Sequence, residues 1–216
     1  MRRTIGYGLT SLLFLAAGSL PTFAQQFSAI LVHLKPEGAV SSNVSVRGEK
    51  IRFETQAPRK GGIAVLDLRQ QTGFIALPEG NTYTVLPQGR IPAPLPFFLT
   101  TDSENACPAW EKLVGKPGSC SKVGDVTLNQ RPAVQYKGLA KNGDAGIVWV
   151  DRKLNFVVKW EGQRSAAELR EIHEGPQPLA LFEVPKGYDK VDPQAAHQES
   201  RTKPPKAKTD ARKPQK

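Results

Sequence analysis

The chain has 216 residues, a formal net charge of +10 and 39% apolar residues, enough for one folded domain of ordinary size. The charge is uneven: Arg2 and Arg3 open the chain, and from Pro193 on seven Lys or Arg face only Glu199 and Asp210, which leaves the body at about +3. The basicity belongs to the tail, which excludes reading the high isoelectric point as a nucleic-acid footprint.

Met1-Arg2-Arg3, an apolar run from about Leu9 to Ala17, and Thr22-Phe23-Ala24 read as a secretory signal peptide. The run is too short to be taken first as a membrane span, and no Cys follows it to carry a lipid. The sequence therefore predicts a signal peptide over 1–24, cleaved near Ala24, and a periplasmic or secreted bacterial protein that does not span the membrane afterwards. A single β-rich domain over 25–192 and a disordered basic tail over 193–216 complete the predicted organisation.

From Phe27 to Leu86 short apolar runs alternate with turns. Phe27, Ala29 and Leu31 alternate with Ser28, Ile30 and Val32; Val44 and Val46 precede the turn Arg47-Gly48-Glu49, and Ile51 and Phe53 follow it. Ile63 to Leu68, Gly73 to Leu77 and Thr82 to Leu86 continue the rhythm, with Pro78-Glu79-Gly80-Asn81 as the clearest turn. No helical period intervenes, so an antiparallel meander is predicted.

The middle zone, Pro87 to Ser121, breaks this pattern. Pro92, Pro94 and Pro96 forbid a central strand, and Pro108 to Val114 predicts two helical turns with Pro108 in the first and Gly115 ending them. Cys107 and Cys120 flank this helix. Two lone cysteines in an oxidising compartment favour one structural disulfide over a reactive pair, since there is no Cys-x-x-Cys.

Strands resume at Val123 to Leu128, turn at Asn129-Gln130, and continue through Ala133 to Leu139 and Gly146 to Val150. After Asp151-Arg152-Lys153, the residues Leu154, Phe156, Val158 and Trp160 are expected to share one face, Val157 being the exception. Residues 167–174 fit a strand and a helix equally on pattern. The tail has no aromatic or large aliphatic residue with which to offset ordering entropy. It reads either as a tether to anionic lipid or envelope polymers or as a solubilising extension.

No motif carries catalysis, so a non-enzymatic protein is expected, without cofactor or metal. Ser119-Cys120-Ser121-Lys122 matches Ser-x-x-Lys without its companion motifs. His33, His173 and His197 lack metal-ligand spacing. Phe97, Phe98, Trp110, Leu113, Trp149, Phe156 and Trp160 are the candidates for an apolar ligand pocket. The other reading is that these residues are simply core.

The order of several segments resembles a family of exported bacterial proteins, the domain of unknown function 4412. They are Val46 to Glu54, Val65 to Leu68, Leu77 to Tyr83, Cys107-Pro108, Gly138, Trp149-Val150-Asp151, Glu168 to Ile172, Glu174 to Pro178, and Phe182 to Tyr188. That family looks related in architecture to the lipoprotein carriers LolA and LolB and to LppX-type lipid carriers. The resemblance implies a mainly β fold: a strongly curved antiparallel sheet, an unclosed half-barrel, with one or two short helices over its concave face. It also implies no catalytic residues. The function expected is an exported protein holding an apolar or lipid-like ligand on that concave face. The alternative is an envelope interaction protein with a filled core, contacting anionic surfaces or a protein partner through its basic tail.

Overall fold

The computed structural model describes residues 25–35, 38–55, 61–89, 97–114, 119–139, 145–163 and 165–192. The predicted signal peptide and basic tail, residues 1–24 and 193–216, lie outside the described residues.

Six strands, β1 (Gln26–Lys35), β2 (Gly38–Arg47), β3 (Lys50–Thr55), β4 (Gly62–Asp67), β5 (Thr72–Leu77) and β6 (Thr82–Leu86), form one antiparallel meander. Five more form a second: β7 (Ser121–Leu128), β8 (Arg131–Leu139), β9 (Ala145–Asp151), β10 (Phe156–Glu161) and β11 (Ala166–Glu174). The two meanders join where β1 pairs antiparallel with β11, aligning Leu31 with Leu169 and His33 with Ala167. A two-residue strand, β12 (Asp189–Lys190), adds to β6 in parallel. The result is one curved twelve-stranded sheet, ordered β12-β6-β5-β4-β3-β2-β1-β11-β10-β9-β8-β7, which does not close. Helix α1 (Cys107–Val114) lies in the connection between the meanders. The fold is thus the unclosed, mainly β arrangement expected from sequence.

Local chemistry explains the turns. Gly48 takes φ +58° between β2 and β3, and Asn129 and Gln130 both take positive φ, 48° and 63°, between β7 and β8. Two consecutive left-handed residues give a tight turn whose twist matches that of the strands it joins. Residues 167–174, undecided by pattern, fall in strand β11 because β1 supplies the long-range partner.

The expected shared face of Leu154, Phe156, Val158 and Trp160 does not form. Val157 pairs with Val150 and Lys159 with Trp149, so Val158 is an inserted bulge residue and parity reverses across it. β10 also parts from β11 at its start, meeting it only from Lys159 to Glu161. The middle zone enters that gap: Val157 N–H donates to the Phe98 carbonyl at 3.0 Å, and Thr100 N–H donates to the Asn155 carbonyl at 2.8 Å. Part of the connecting zone is therefore hydrogen-bonded to a strand edge as well as covering the sheet.

Two cores lie on opposite faces. The inner core is built on Phe27, Val44, Val46, Ile51 and Phe53 with Phe97, Phe98, Trp110, Tyr136 and Phe156. On the outer face Ile63, Val65, Phe74 and Ala76 pack under Leu181, Phe182, Val184 and Tyr188 of the C-terminal segment. Arg52 anchors that segment by donating Nη1–H to the Leu181 carbonyl at 3.1 Å, and Arg47 donates to the Gln177 carbonyl. At its end Asp189 N–H bonds to the Asn81 carbonyl and Val191 N–H to the Tyr83 carbonyl, both at 2.8 Å. These bonds frame β12, which pairs with β6 through Asp189–Thr82 and Lys190–Tyr83.

Candidate functional site

The register gives two cross-strand rows on the inner face. One runs Phe27, Val46, Ile51, Leu66, Gly73, Leu86; the next runs Ala29, Val44, Phe53, Ala64, Ile75, Thr84. Over β1 to β3 these side chains are buried, whereas Ala64, Ile75, Thr84 and Leu86 are half-buried. Ile75 packs into neither hydrophobic cluster among the described residues. Ala64 and Leu86 pack against the edge of the inner core, which leaves Ile75 as the apolar side chain of these rows outside it among the described residues.

Among the described residues two polar atoms on this face are closed off from water without a partner: Thr84 Oγ1 and the indole Nε1 of Trp160. Each such atom costs about 1–3 kcal/mol against a bonded one. Thr84 also lines an open depression at the β6–β12 edge, with Val85, Pro87, Lys190, Val191 and Asp192 as the other walls.

The aromatic candidates take distinct places. Phe97, Phe98, Trp110 and Phe156 are buried in the inner core. Trp110 donates its Nε1–H to the Leu139 carbonyl at 2.8 Å and meets Phe98 edge-on at 6.4 Å, and Phe156 meets Phe27 edge-on at 5.3 Å. Trp110 and Trp160 share the inner face, since Trp110 lies over Gly138 and Gly146, which pair with each other, and Trp160 pairs with Val148 two residues on. Trp149, between the buried Val148 and Val150, points to the opposite face, where Lys159 Nζ stands 4.5 Å from its ring centroid. Alternation along β9 thus sets Trp149 on the other side of the strand from Trp160's partner Val148, while Trp149 belongs to the buried cluster of Trp110 and Phe156 and Trp160 packs against it. Leu113 is in the last turn of α1, and its side chain lies outside the described residues.

Cys107 and Cys120 form a disulfide with a Cα–Cα distance of 5.4 Å, tying the first residue of α1 to the residue before β7. Tyr136 adds a second tie by donating its hydroxyl to the Ser103 carbonyl at 2.7 Å, and burial pushes that hydroxyl's pKa up. Ser119 and Lys122 are not a nucleophile and base. Ser119 Oγ accepts the Leu139 N–H at 3.1 Å, while the Lys122 ammonium is held by Glu104 at 2.6 Å and Asp125 at 3.3 Å. Among the described residues no group of three or more His, Cys, Asp or Glu is placed to hold a metal, and no helix is long and apolar enough to cross a membrane.

Sequence reading missed Ala64, Ile75, Thr84 and Leu86. A signal existed: Gly62-Ile63-Ala64-Val65-Leu66 and Phe74-Ile75-Ala76 are apolar at both parities, the mark of strands covered on both faces.

Fold and site together define a class: a mainly β chain whose open curved sheet is packed on both sides and leaves Ile75 half-buried on the inner face outside the core. No family model matches the chain, and no curated protein sequence matches it. Solved structures do. An uncharacterised conserved protein of Thermus thermophilus shares the fold, with TM-score 0.53 and 13% identity over 78% of this chain and 90% of that one. PNGF-II gives TM-score 0.48 and 10% identity over 83% of this chain, which spans 33% of that protein. MucB of Pseudomonas aeruginosa, solved with MucA, gives TM-score 0.47 and 12% identity over 78% of this chain and 59% of that one.

Proposed function

We propose that this protein is an exported, non-enzymatic binding protein that holds an apolar or amphipathic, lipid-like ligand on the inner face of its sheet. The observation that carries this reading is Ile75, an apolar inner-face residue half-buried outside both cores, flanked by Ala64 and Thr84 in its row. An acyl chain laid along Ala64, Ile75 and Leu86 gains about 0.8 kcal/mol per buried methylene before binding costs are subtracted. A ligand acceptor reaching Thr84 Oγ1 or Trp160 Nε1 would remove the penalty those atoms now bear. Phe97, Phe98 and Trp110 form the packed wall that bounds the site, and Trp160 is its half-buried aromatic. The signal-like N-terminus supports a periplasmic or secreted location, and the order of segments supports kinship with the 4412 family and the lipoprotein carriers.

Uptake of a fluorescent fatty acid tests the reading. Wild type is expected to bind it; Ile75→Asp, which puts a charge on the inner face, should abolish binding, and Val85→Asp, in the neighbouring strand but facing outward, should not. A folded wild-type protein that takes up no probe refutes the reading.

A second reading is supported by the burial of Phe97, Phe98, Trp110, Trp149 and Phe156. In it the core is filled and the protein contacts anionic envelope surfaces, or a protein partner, through residues 193–216. Deleting those residues should abolish envelope association in this case and leave ligand uptake unchanged in the first.

A further inference from the structure

The inner face of the first meander changes character along its strands. A third cross-strand row lies two residues beyond the row of Ile75. In it Leu31 pairs with Ser42, Ser42 with Thr55 and Thr55 with Gly62, and Leu77 pairs with Thr82. Gly62 and Leu77 adjoin the paired Ile63 and Ala76, which joins the two halves of the row. The row of Phe27 holds no polar side chain, the row of Ile75 holds Thr84, and this third row holds Ser42, Thr55 and Thr82. Exposure rises in the same direction: on β5, Ile75 is half-buried and Leu77 is 51% exposed. From Gly73 to Leu77 the three rows span about 14 Å, at about 3.4 Å per residue.

The hydroxyls of the third row keep bonding capacity. Ser42 Oγ and Thr55 Oγ1 stand 3.2 Å apart and half-buried. Whichever of them donates, the other's O–H hydrogen and lone pairs on both oxygens are not used by that bond. Beside Thr55 the row has a notch at Gly62, where a β-carbon would meet nothing nearer than the Ala76 carbonyl oxygen and Leu77 Cδ2, both at 3.9 Å. None of the residues of the three rows on β1 to β6 is ionisable, and Lys50, Arg52 and Glu54 of β3 alternate onto the other face. At the sheet edge Asp189 pairs with Thr82 and ends the row in a carboxylate.

We infer that the hydroxyl row around Gly62 is the head-group subsite of the inner-face ligand, an amphiphile whose head bears hydroxyl and carbonyl oxygens, as an acylglycerol does. The ligand lies along the strands, its chain toward Leu86 and its head at Gly62. This rests on the inner-face ligand proposed above and gives that ligand its polarity. The two apolar rows suit the chain, because a head oxygen placed there would leave water with Thr84 as its one side-chain partner. The third row meets a head with three hydroxyls, each able to donate and to accept. Asp189 accepts hydroxyl hydrogens and repels an anion, so it favours a polyol head over a carboxylate or phosphate.

The test measures two probes on the whole chain with its disulfide formed: 1-decanoylglycerol, which has such a head, and diphenylhexatriene, which has none. The variant S42A/T55V/T82V removes the three hydroxyls. Ser42 and Thr55 lose their partners together, so no orphaned hydroxyl is left between them. Gly62→Val fills the notch instead, and S41A/S45A, on the other face of β2, is the control. Circular dichroism melting verifies that each protein folds; if the triple variant does not, Gly62→Val decides on the same criterion. Both are expected to bind 1-decanoylglycerol about tenfold more weakly than wild type, with diphenylhexatriene affinity unchanged and the control unaffected. An undiminished affinity for 1-decanoylglycerol overturns the inference. So does an equal loss for both probes, because the hydroxyls would then shape the face rather than read a head. A wild type that binds diphenylhexatriene and not 1-decanoylglycerol overturns this inference alone; one that binds neither removes the inner-face reading with it.

Discussion

Trp110 donates its indole N–H to the Leu139 carbonyl at 2.8 Å, and Gly138, the residue before that carbonyl, leaves room for the ring. A β-carbon on Gly138 would stand 3.2 Å from Trp110 Cε2 and 3.3 Å from both Cys120 Cα and the Ser119 carbonyl oxygen. This one position sets how closely α1 and the disulfide seat on the sheet. Gly138→Ala should cost about 1–3 kcal/mol through overpacking. Trp110→Phe should cost about 1–3 kcal/mol by leaving the Leu139 carbonyl short of its donor, and Trp110→Ala about 3–5 kcal/mol. Urea unfolding followed by circular dichroism measures all three, and a neutral Gly138→Ala would contradict the packing described.

The Cys107–Cys120 disulfide closes a loop of sequence separation 13 around α1. The chain-entropy model gives about 3 kcal/mol for a loop of this size. The double variant C107S/C120S should lower the urea midpoint by the corresponding amount and make stability insensitive to reductant. An equal response to dithiothreitol in both proteins would show that the bond contributes nothing.

Lys153, hydrogen-bonded to Glu174, and with it Arg131, hold the Glu174 carboxyl below the usual range against partial burial, which works the other way. Asp125 is held down likewise by Arg152 and Lys122. A carboxylate with a depressed folded pKa contributes stability that is fully present above its unfolded value, about 4.3 for Glu, and lost as pH falls through the folded value. Unfolding free energy should therefore decline below about pH 4.5, with a shallower acid limb in Glu174→Gln. Thermal melts from pH 7 to pH 2.5 check the sign; an unchanged limb in the variant would remove Glu174 from the account.

Thr84→Val replaces the unpartnered hydroxyl with a methyl of the same shape. The ligand-free protein should gain up to about 1 kcal/mol, because a closed-off oxygen with nothing to bond is removed. A loss of stability, read from the denaturation midpoint, would mean that the hydroxyl already has a partner.

The sequence carried whatever is local. Asn129-Gln130, Arg47-Gly48-Glu49 and Pro78 to Asn81 announced their turns because each holds residues suited to left-handed or tight backbone. The helix after Cys107 followed from Pro108 and its apolar spacing, and begins one residue earlier than predicted. What stayed illegible depends on distant partners. Residues 167–174 become a strand only through β1, and Val158 becomes a bulge only through the register with β9. Phe98 to Thr100 bond to β10 only because β10 parts from β11. The outer core around Phe182 was missed for the same reason, since parity marks an apolar face but not the segment that will lie on it. Of the candidate residues, Trp160 sits on the inner face half-buried, and Ile75, which carries the functional reading, was hidden in a strand apolar at both parities.

An apolar ligand on the inner face beside Ile75 would travel with the purified protein. The most direct measurement is native mass spectrometry of the protein purified from its own compartment, before and after organic extraction. A stoichiometric apolar adduct is expected, one that extraction removes and that Ile75→Asp never acquires. A clean protein mass, with the disulfide intact and no uptake of an added fatty acid, would contradict it.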